Sequence, residues 1–220
     1  MTASFILFFS ASDEIRNITH HDKTHDYNIK KEIMVWDKQL VMLNNQIDAY
    51  RKSQINNIKP IFFEIVSLFS KSLAEKLSLA YYQGWNSDNQ FEKFLTGRFT
   101  DDIKSGYTAY GTHRSDIRFL LNHQPAKDVL SRGQKKIIVI ALILAQFVYL
   151  IRNKVFFQPE YQHFVLLVDD LDSELDDKNL KLFFNFLNQY EEIQYFITTT
   201  NPTRFSIIDS EYCKMFHVEQ

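Results

Sequence analysis

The stretch that most limits what this chain can become is Val165-Leu166-Leu167-Val168-Asp169-Asp170. Four apolar residues in a row, two of them valine, read as a strand covered on both faces, as in a parallel sheet. Two carboxylates follow at once. Buried ionised carboxylates are costly unless a metal or a polar ligand meets them, so the strand has to carry them to its tip. Such a tip is a common place to hold Mg²⁺ beside a nucleotide phosphate. Upstream, Leu130-Ser131-Arg132-Gly133-Gln134 precedes the apolar run Ile137 to Ile151. The serine reads as a helix N-cap, and the N–H groups and dipole of a helix start attract phosphate. Downstream, Lys178 to Gln189 reads as a helix with Leu180, Phe183, Phe184 and Leu187 facing inward. Tyr195 to Thr199 reads as the next buried strand and Met215 to Val218 as an edge strand. Strands alternating with helices in this way form one half of a doubly wound sheet.

Composition sets outer limits. The 220 residues make one or two domains, and 45% apolar content is enough for a core. The formal charge of −2 gives no whole-chain support for nucleic-acid binding, so any such surface is a local patch. A single cysteine, Cys213, excludes an internal disulfide and a multi-cysteine zinc site. Phe5 to Phe9 is apolar but lacks a basic flank, so no signal peptide is expected. The Ile137 to Ile151 run is shorter than the roughly 20 residues of a membrane span and is interrupted by Gln146, so a buried helix is expected.

Residues 1–35 carry little pattern. His20, His21 and His25 lie in a charged segment without ligand-like spacing, and a polar segment is expected there rather than a metal site. From Trp36 the apolar positions Leu40, Leu43, Ile47 and Tyr50 step by four and three, a helical stripe. Pro60 predicts a break. Phe62, Val66, Phe69, Leu73 and Leu77 then form a second stripe, so the two helices read as a helical hairpin or arm. Strands are expected over Leu79 to Trp85, over Lys104 to Gly111 and over Ile117 to Leu121. Asn86-Ser87-Asp88 and Asn122-His123 read as turns, and Phe91 to Arg98 as a short helix. Gly106 and Gly111 have the spacing that opens a phosphate-binding loop. That loop must continue with Lys and then Ser or Thr, and here Thr112 and His113 follow. None of the five glycines completes the pattern.

Four blocks occur together in one order. They are Trp36-Asp37-Lys38-Gln39-Leu40, Tyr107 to Ile117, Leu130 to Gln134, and Asp169-Asp170 with Ser173-Glu174-Leu175-Asp176. In this order they resemble the RecF family of ABC-type ATPases from Trp36 onward, without the N-terminal part of the family that carries the Walker A loop. The resemblance implies an α/β fold: a partial ABC-ATPase (P-loop NTPase-like) sheet with an inserted or N-terminal helical lobe. It divides the chain into an unassigned segment, 1–35, a helical lobe, 36–105, and a C-terminal ATPase lobe, 106–220.

The same resemblance implies an ATP and Mg²⁺ site shared between two subunits. Ser131, Arg132, Gly133 and Gln134 form the signature that meets the γ-phosphate across a dimer. Asp169 is the Walker B ligand of Mg²⁺. Asp170 stands where most ABC ATPases have a glutamate that polarises the attacking water, and an aspartate there implies slow hydrolysis. Ser173 and Asp176 belong to the D-loop, and Thr199 stands at the switch-histidine position. His113 and Arg114 line either a nucleotide or dimer surface or a structural turn. The implied function is recombination mediation in DNA replication, repair and the damage response, by a cytoplasmic ATP-dependent homodimer with no membrane. The implied partners are single-stranded and gapped double-stranded DNA and mediator proteins of the RecO/RecR type. Without a Walker A loop the chain would be half of a composite site, inactive alone. The other reading is a non-catalytic interaction module or a truncated gene product.

Overall fold

The computed structural model describes residues 26–86, 90–154, 164–171, 175–205 and 214–216. The expectations for Phe5 to Phe9, His20, His21, His25, Ser87, Asp88, Ser173, Glu174, Cys213 and Val218 fall outside them. The first described elements are helix α1 (Asp26–Phe69) and α2 (Lys71–Lys76), then strand β1 (Leu77–Tyr82). Helices α3 (Phe91–Gly97) and α4 (Phe99–Ser105) and a 3₁₀ turn (Thr112–Arg114) lead into β2 (Asp116–Leu121). Next come β3 (Gln124–Pro125), α5 (Ala126–Val129), α6 (Arg132–Arg152), β4 (Phe164–Val168), α7 (Asp177–Leu187), β5 (Ile193–Ile197) and a 3₁₀ turn (Pro202–Phe205). The strands form one sheet in the order β1-β2-β3 and a second, β4-β5. The expected Asn122-His123 turn is present, with both residues at positive φ, the type I′ geometry that suits a tight antiparallel hairpin. It joins β2 to β3 with Leu121 opposite Gln124.

The expected break at Pro60 is absent, which excludes the hairpin of the two alternatives. Helix α1 runs 44 residues with Pro60 inside it. Proline leaves the Asn56 carbonyl without its helical donor and costs about 3 kcal/mol. Staying helical keeps Ile61, Phe62, Ile65 and Val66 on one buried side, and each such side chain contributes about 1.5–3 kcal/mol. Burial therefore outweighs the lost hydrogen bond. The strand expected over Lys104 to Gly111 is also absent. Lys104 and Ser105 end α4, and Gly106 closes it in the left-handed conformation at φ 78°. Met215 and Phe216 are not in a strand.

By internal contacts the chain forms two compact units, each built from two stretches: 1–56 with 79–118, and 57–78 with 119–220. In the second unit β4 and β5 pair in parallel, from Phe164 opposite Ile193 to Val168 opposite Ile197, with α7 as the crossover. Helix α7 buries Leu180, Phe183, Phe184, Phe186 and Leu187, the expected inward set plus Phe186. Phe184 meets Tyr195 of β5 and Phe205 beyond it. Helix α6 buries Ile137, Ile138, Ala141, Leu144, Ala145 and Val148, and its Phe147 packs edge-on against Phe164 of β4. By length and composition alone α6 is long and apolar enough to cross a membrane.

Two burial expectations need correction. Helix α6 is buried along one side only, since Val139 and Ile143 are exposed. Strand β4 is covered on one face only. Leu166 is buried, while Val165 is 54%, Leu167 74% and, on β5, Phe196 51% exposed. Register places Leu167 beside Phe196, so the outer face of this sheet is an apolar strip. The sequence of a buried strand is present, and among the described residues no layer buries its outer face.

In the first unit the buried line of α1 is partly polar. Asn44 and Asp48 are buried in it, whereas Tyr50, expected to pack, is exposed. Asn44 Oδ1 accepts from the Thr112 N–H at 2.8 Å, and Arg51 donates to the Thr112 carbonyl and the Ser115 hydroxyl. These bonds hold the turn around Gly111. Gly84, at φ +104°, lies against the same turn, and a Cβ there would stand 1.9 Å from the Gly111 carbonyl oxygen. Gly84→Ala is expected to lower the unfolding midpoint, with strained φ alone costing about 1–3 kcal/mol. Gly97→Ala, where a Cβ meets nothing within 4 Å, is the control expected to be neutral or slightly stabilising in the same thermal melt.

Candidate strand-tip and helix-start site

The two strands of the parallel pair end side by side, at Asp169-Asp170 and at Thr198-Thr199. Thr198 holds the opposite tip through three of its own groups. Its N–H donates to the Val168 carbonyl at 3.0 Å, and its carbonyl accepts from the Leu171 N–H at 3.3 Å. Its hydroxyl donates to Asp169 Oδ1 at 2.5 Å and accepts from the Asp170 N–H at 2.8 Å. Asp170 sits at φ 50°, a left-handed conformation that aspartate tolerates better than most residues. The chain therefore turns sharply just after Asp169, and both carboxyl-bearing residues are exposed at the tip. Thr199 Oγ1 accepts from the Asn201 N–H at 3.0 Å, within its own loop. Thr198 was not legible as a site residue: in Thr198-Thr199-Thr200 nothing local distinguishes the one that reaches across.

Ser131 is the N-cap of α6. Its hydroxyl accepts from the Gln134 N–H at 3.2 Å, and Gln134 Oε1 accepts from the Ser131 N–H at 3.0 Å. This reciprocal pair is a capping box. Capping uses lone pairs of the hydroxyl and leaves its proton for another acceptor. The first turn holds no acidic residue but carries Arg132 and Lys135, with Lys136 next, cations near the positive end of the helix dipole, an arrangement that an anion would relieve. Lys135 Nζ donates to the Lys127 carbonyl at 2.6 Å. A Cβ on Gly133 would meet nothing within 4 Å, so the fold itself does not require glycine there.

Asp176 caps α7, its Oδ1 accepting from the Asn179 N–H at 2.8 Å. The next residue, Asp177, pairs with Arg204 at 2.7 Å, and Arg204 also donates to the Leu175 carbonyl at 2.9 Å. Arg204 thus ties the end of the Leu175-Asp176 loop to the turn after β5, a role that a lone arginine in the sequence does not announce. Among the described residues no group of three or more His, Cys, Asp or Glu could hold a metal ion. A cation at this tip would be of the kind held by one or two carboxylates and completed by phosphate oxygens and water, as Mg²⁺ usually is, and Asp169 and Asp170 fit that donor set.

His113 and Arg114 lie in the other unit, in the 3₁₀ turn held by Asn44 and Arg51. Burial pushes the His113 pKa below its ordinary value, and the Arg114 charge adds to this; Asp102 and the Thr108 carbonyl act the other way. A folded value below the unfolded one, about 6.5, means that the unfolded chain takes up the proton first as pH falls. The His113 contribution to stability is whole above about pH 6.5 and is lost as pH falls below it. The midpoint of thermal unfolding should drop more between pH 7.5 and 5.5 for the wild type than for His113→Gln.

Residues 3–220 match the RecF/RecN/SMC N-terminal domain family, so the likeness reaches well before Trp36, into a segment whose sequence carried no visible pattern. The DNA replication and repair protein RecF of Shewanella baltica is 31% identical over 219 residues, which are 97% of this chain and 58% of that protein. RecF of Mannheimia succiniciproducens is 33% identical over 197 residues, 90% of this chain and 51% of the relative. A solved structure of the recombination mediator protein RecF with ATP, from the RecFOR pathway, superposes with a TM-score of 0.67 at 23% identity, over 90% of this chain and 52% of that one. That agreement shows the mixed α/β fold of the RecF/SMC ABC-type ATPases. The chain spans about half the length of the curated relatives it matches, and it belongs to the RecF/RecN/SMC N-terminal domain family as a homologue of RecF.

Proposed function

We propose that this chain supplies the signature and Walker B half of the ATP site of a cytoplasmic RecF-type recombination mediator. In this reading Ser131 and Gly133 meet the γ-phosphate across a homodimer formed on ATP, with Arg132 and Gln134 completing the helix start. Asp169 holds Mg²⁺, and Asp170 orients the attacking water. Ser173 and Asp176 form the D-loop, and Thr199 faces the phosphate from the β5 tip. Bound Mg²⁺ would neutralise charge on the triphosphate. The assembly would act on single-stranded and gapped double-stranded DNA, with mediators of the RecO/RecR type. In this reading the chain comprises an N-terminal segment 1–35, a helical lobe 36–105 and an ATPase lobe 106–220.

One observation carries this reading: a helix start with three cations, no acid and a glycine that the fold does not need. Such a turn is poorly matched to its own dipole and well matched to an external polyanion that approaches the backbone closely. The exposed apolar side chains Val165, Leu167 and Phe196 on the outer face of β4 and β5 support the second part of the reading, since they suit a covering segment such as the one that carries Walker A.

The test is thermal unfolding with Mg²⁺ and ATP, with and without a polypeptide bearing the Gly-x-x-x-x-Gly-Lys-Ser/Thr segment of a RecF relative. Stabilisation is expected only when both are present, about 2.7 kcal/mol at a hundred times Kd. Gly133→Ala should raise the midpoint of the chain alone, by a part of the about 1 kcal/mol that separates glycine from alanine in helices, and abolish the nucleotide effect. No effect of polypeptide and nucleotide together would leave the interaction-module reading.

A further inference from the structure

Thr198 meets the end of β4 through its N–H, its carbonyl and its hydroxyl. A carboxylate at an exposed strand end has free torsions, and a cation bound there must pay to order it. The hydroxyl of Thr198 removes part of that freedom, because it donates to Asp169 Oδ1. The same oxygen accepts from the Asp170 N–H, which stabilises the left-handed backbone at that residue. One side chain on β5 therefore sets both the orientation of the first carboxylate and the turn that places the second. The hydroxyl has a single proton, and Asp169 takes it, so Thr198 is not the residue that donates to a phosphate. The remaining lone pairs of the Asp169 carboxylate stay available to a cation.

We propose that Thr198 is a positioning residue for the divalent-cation carboxylate: its hydroxyl fixes Asp169 in the orientation that binds the metal and locks the Asp170 turn beside it. This rests on the reading of Asp169 as a cation ligand, and the two are separable.

The test uses Mn²⁺ alone, titrated into the full chain and followed by electron paramagnetic resonance, together with hydrogen exchange of the Asp170 amide. Wild type should bind Mn²⁺, and Asp169→Asn should abolish binding. Thr198→Val, of the same shape without the hydroxyl, should weaken binding about tenfold or more, the usual effect of losing a group that orients a metal ligand. It should also speed exchange of the Asp170 amide. Thr198→Ser should restore both. Mn²⁺ binding by Thr198→Val equal to wild type, with the Asp170 amide now exchanging fast, would overturn the proposal and leave the cation reading standing. Loss of binding that serine does not restore would overturn it too, by showing that the hydroxyl does not account for the effect. Absence of Mn²⁺ binding in the wild type, or binding unchanged in Asp169→Asn, would sink the cation reading and this proposal with it. If the valine variant does not fold, Thr198→Ala carries the same comparisons.

Discussion

Everything at the candidate site depends on the parallel pairing of β4 with β5. Five consecutive residue pairs, from Phe164 opposite Ile193 to Val168 opposite Ile197, fix the register. In a strand, a slip by one residue sends every side chain to the other face. It would also move Thr198 out of reach of Asp169. The packing of Leu166 and Ile193 on the inner face and the geometry of the carboxylates at the tip are therefore two results of one constraint. The α7 crossover enforces it, since Phe184 bridges to Tyr195 and Phe205 while Leu180 and Phe183 fill the space beneath.

The C-terminal half of the chain was largely legible because its signals are local. Four apolar residues followed by two aspartates need no distant partner to be read as a strand and its tip. Ser131 with Gln134 three residues later is a local capping pattern, and the structure makes both of its hydrogen bonds. What stayed hidden needed information from elsewhere in the fold. Pro60 predicts a break from backbone chemistry alone, and only the burial of Ile61 to Val66 reverses it. Asn44, Asp48 and Arg51 look like the solvated side of α1, because hydropathy cannot foresee that a polar turn will be docked there. Thr198 looks no different from its neighbour Thr199 for the same reason: its partner lies at the tip of another strand.

The first unit shows how a backbone turn is held when the chain supplies no regular structure. Gly111 is extended past the range of other residues at φ 148°, and Gly84 lets its carbonyl approach. Asn44 and Arg51 then bind the turn's peptide groups from a helix 61 or more residues away. Buried amides with partners on a rigid helix define a turn more sharply than side-chain packing does. His113 and Arg114 are thus presented on a stiff support, with Lys52 bridging Asp48 and Gln83 at its edge.

The strip of Val165, Leu167 and Phe196 also changes how this chain behaves with dose. Covering it by another segment of the same polypeptide is a first-order event, indifferent to how much protein is present. Stacking it on a neighbour's strip is second-order and overtakes as molecules crowd together. Dilution, more than temperature, therefore separates the two fates of these three side chains.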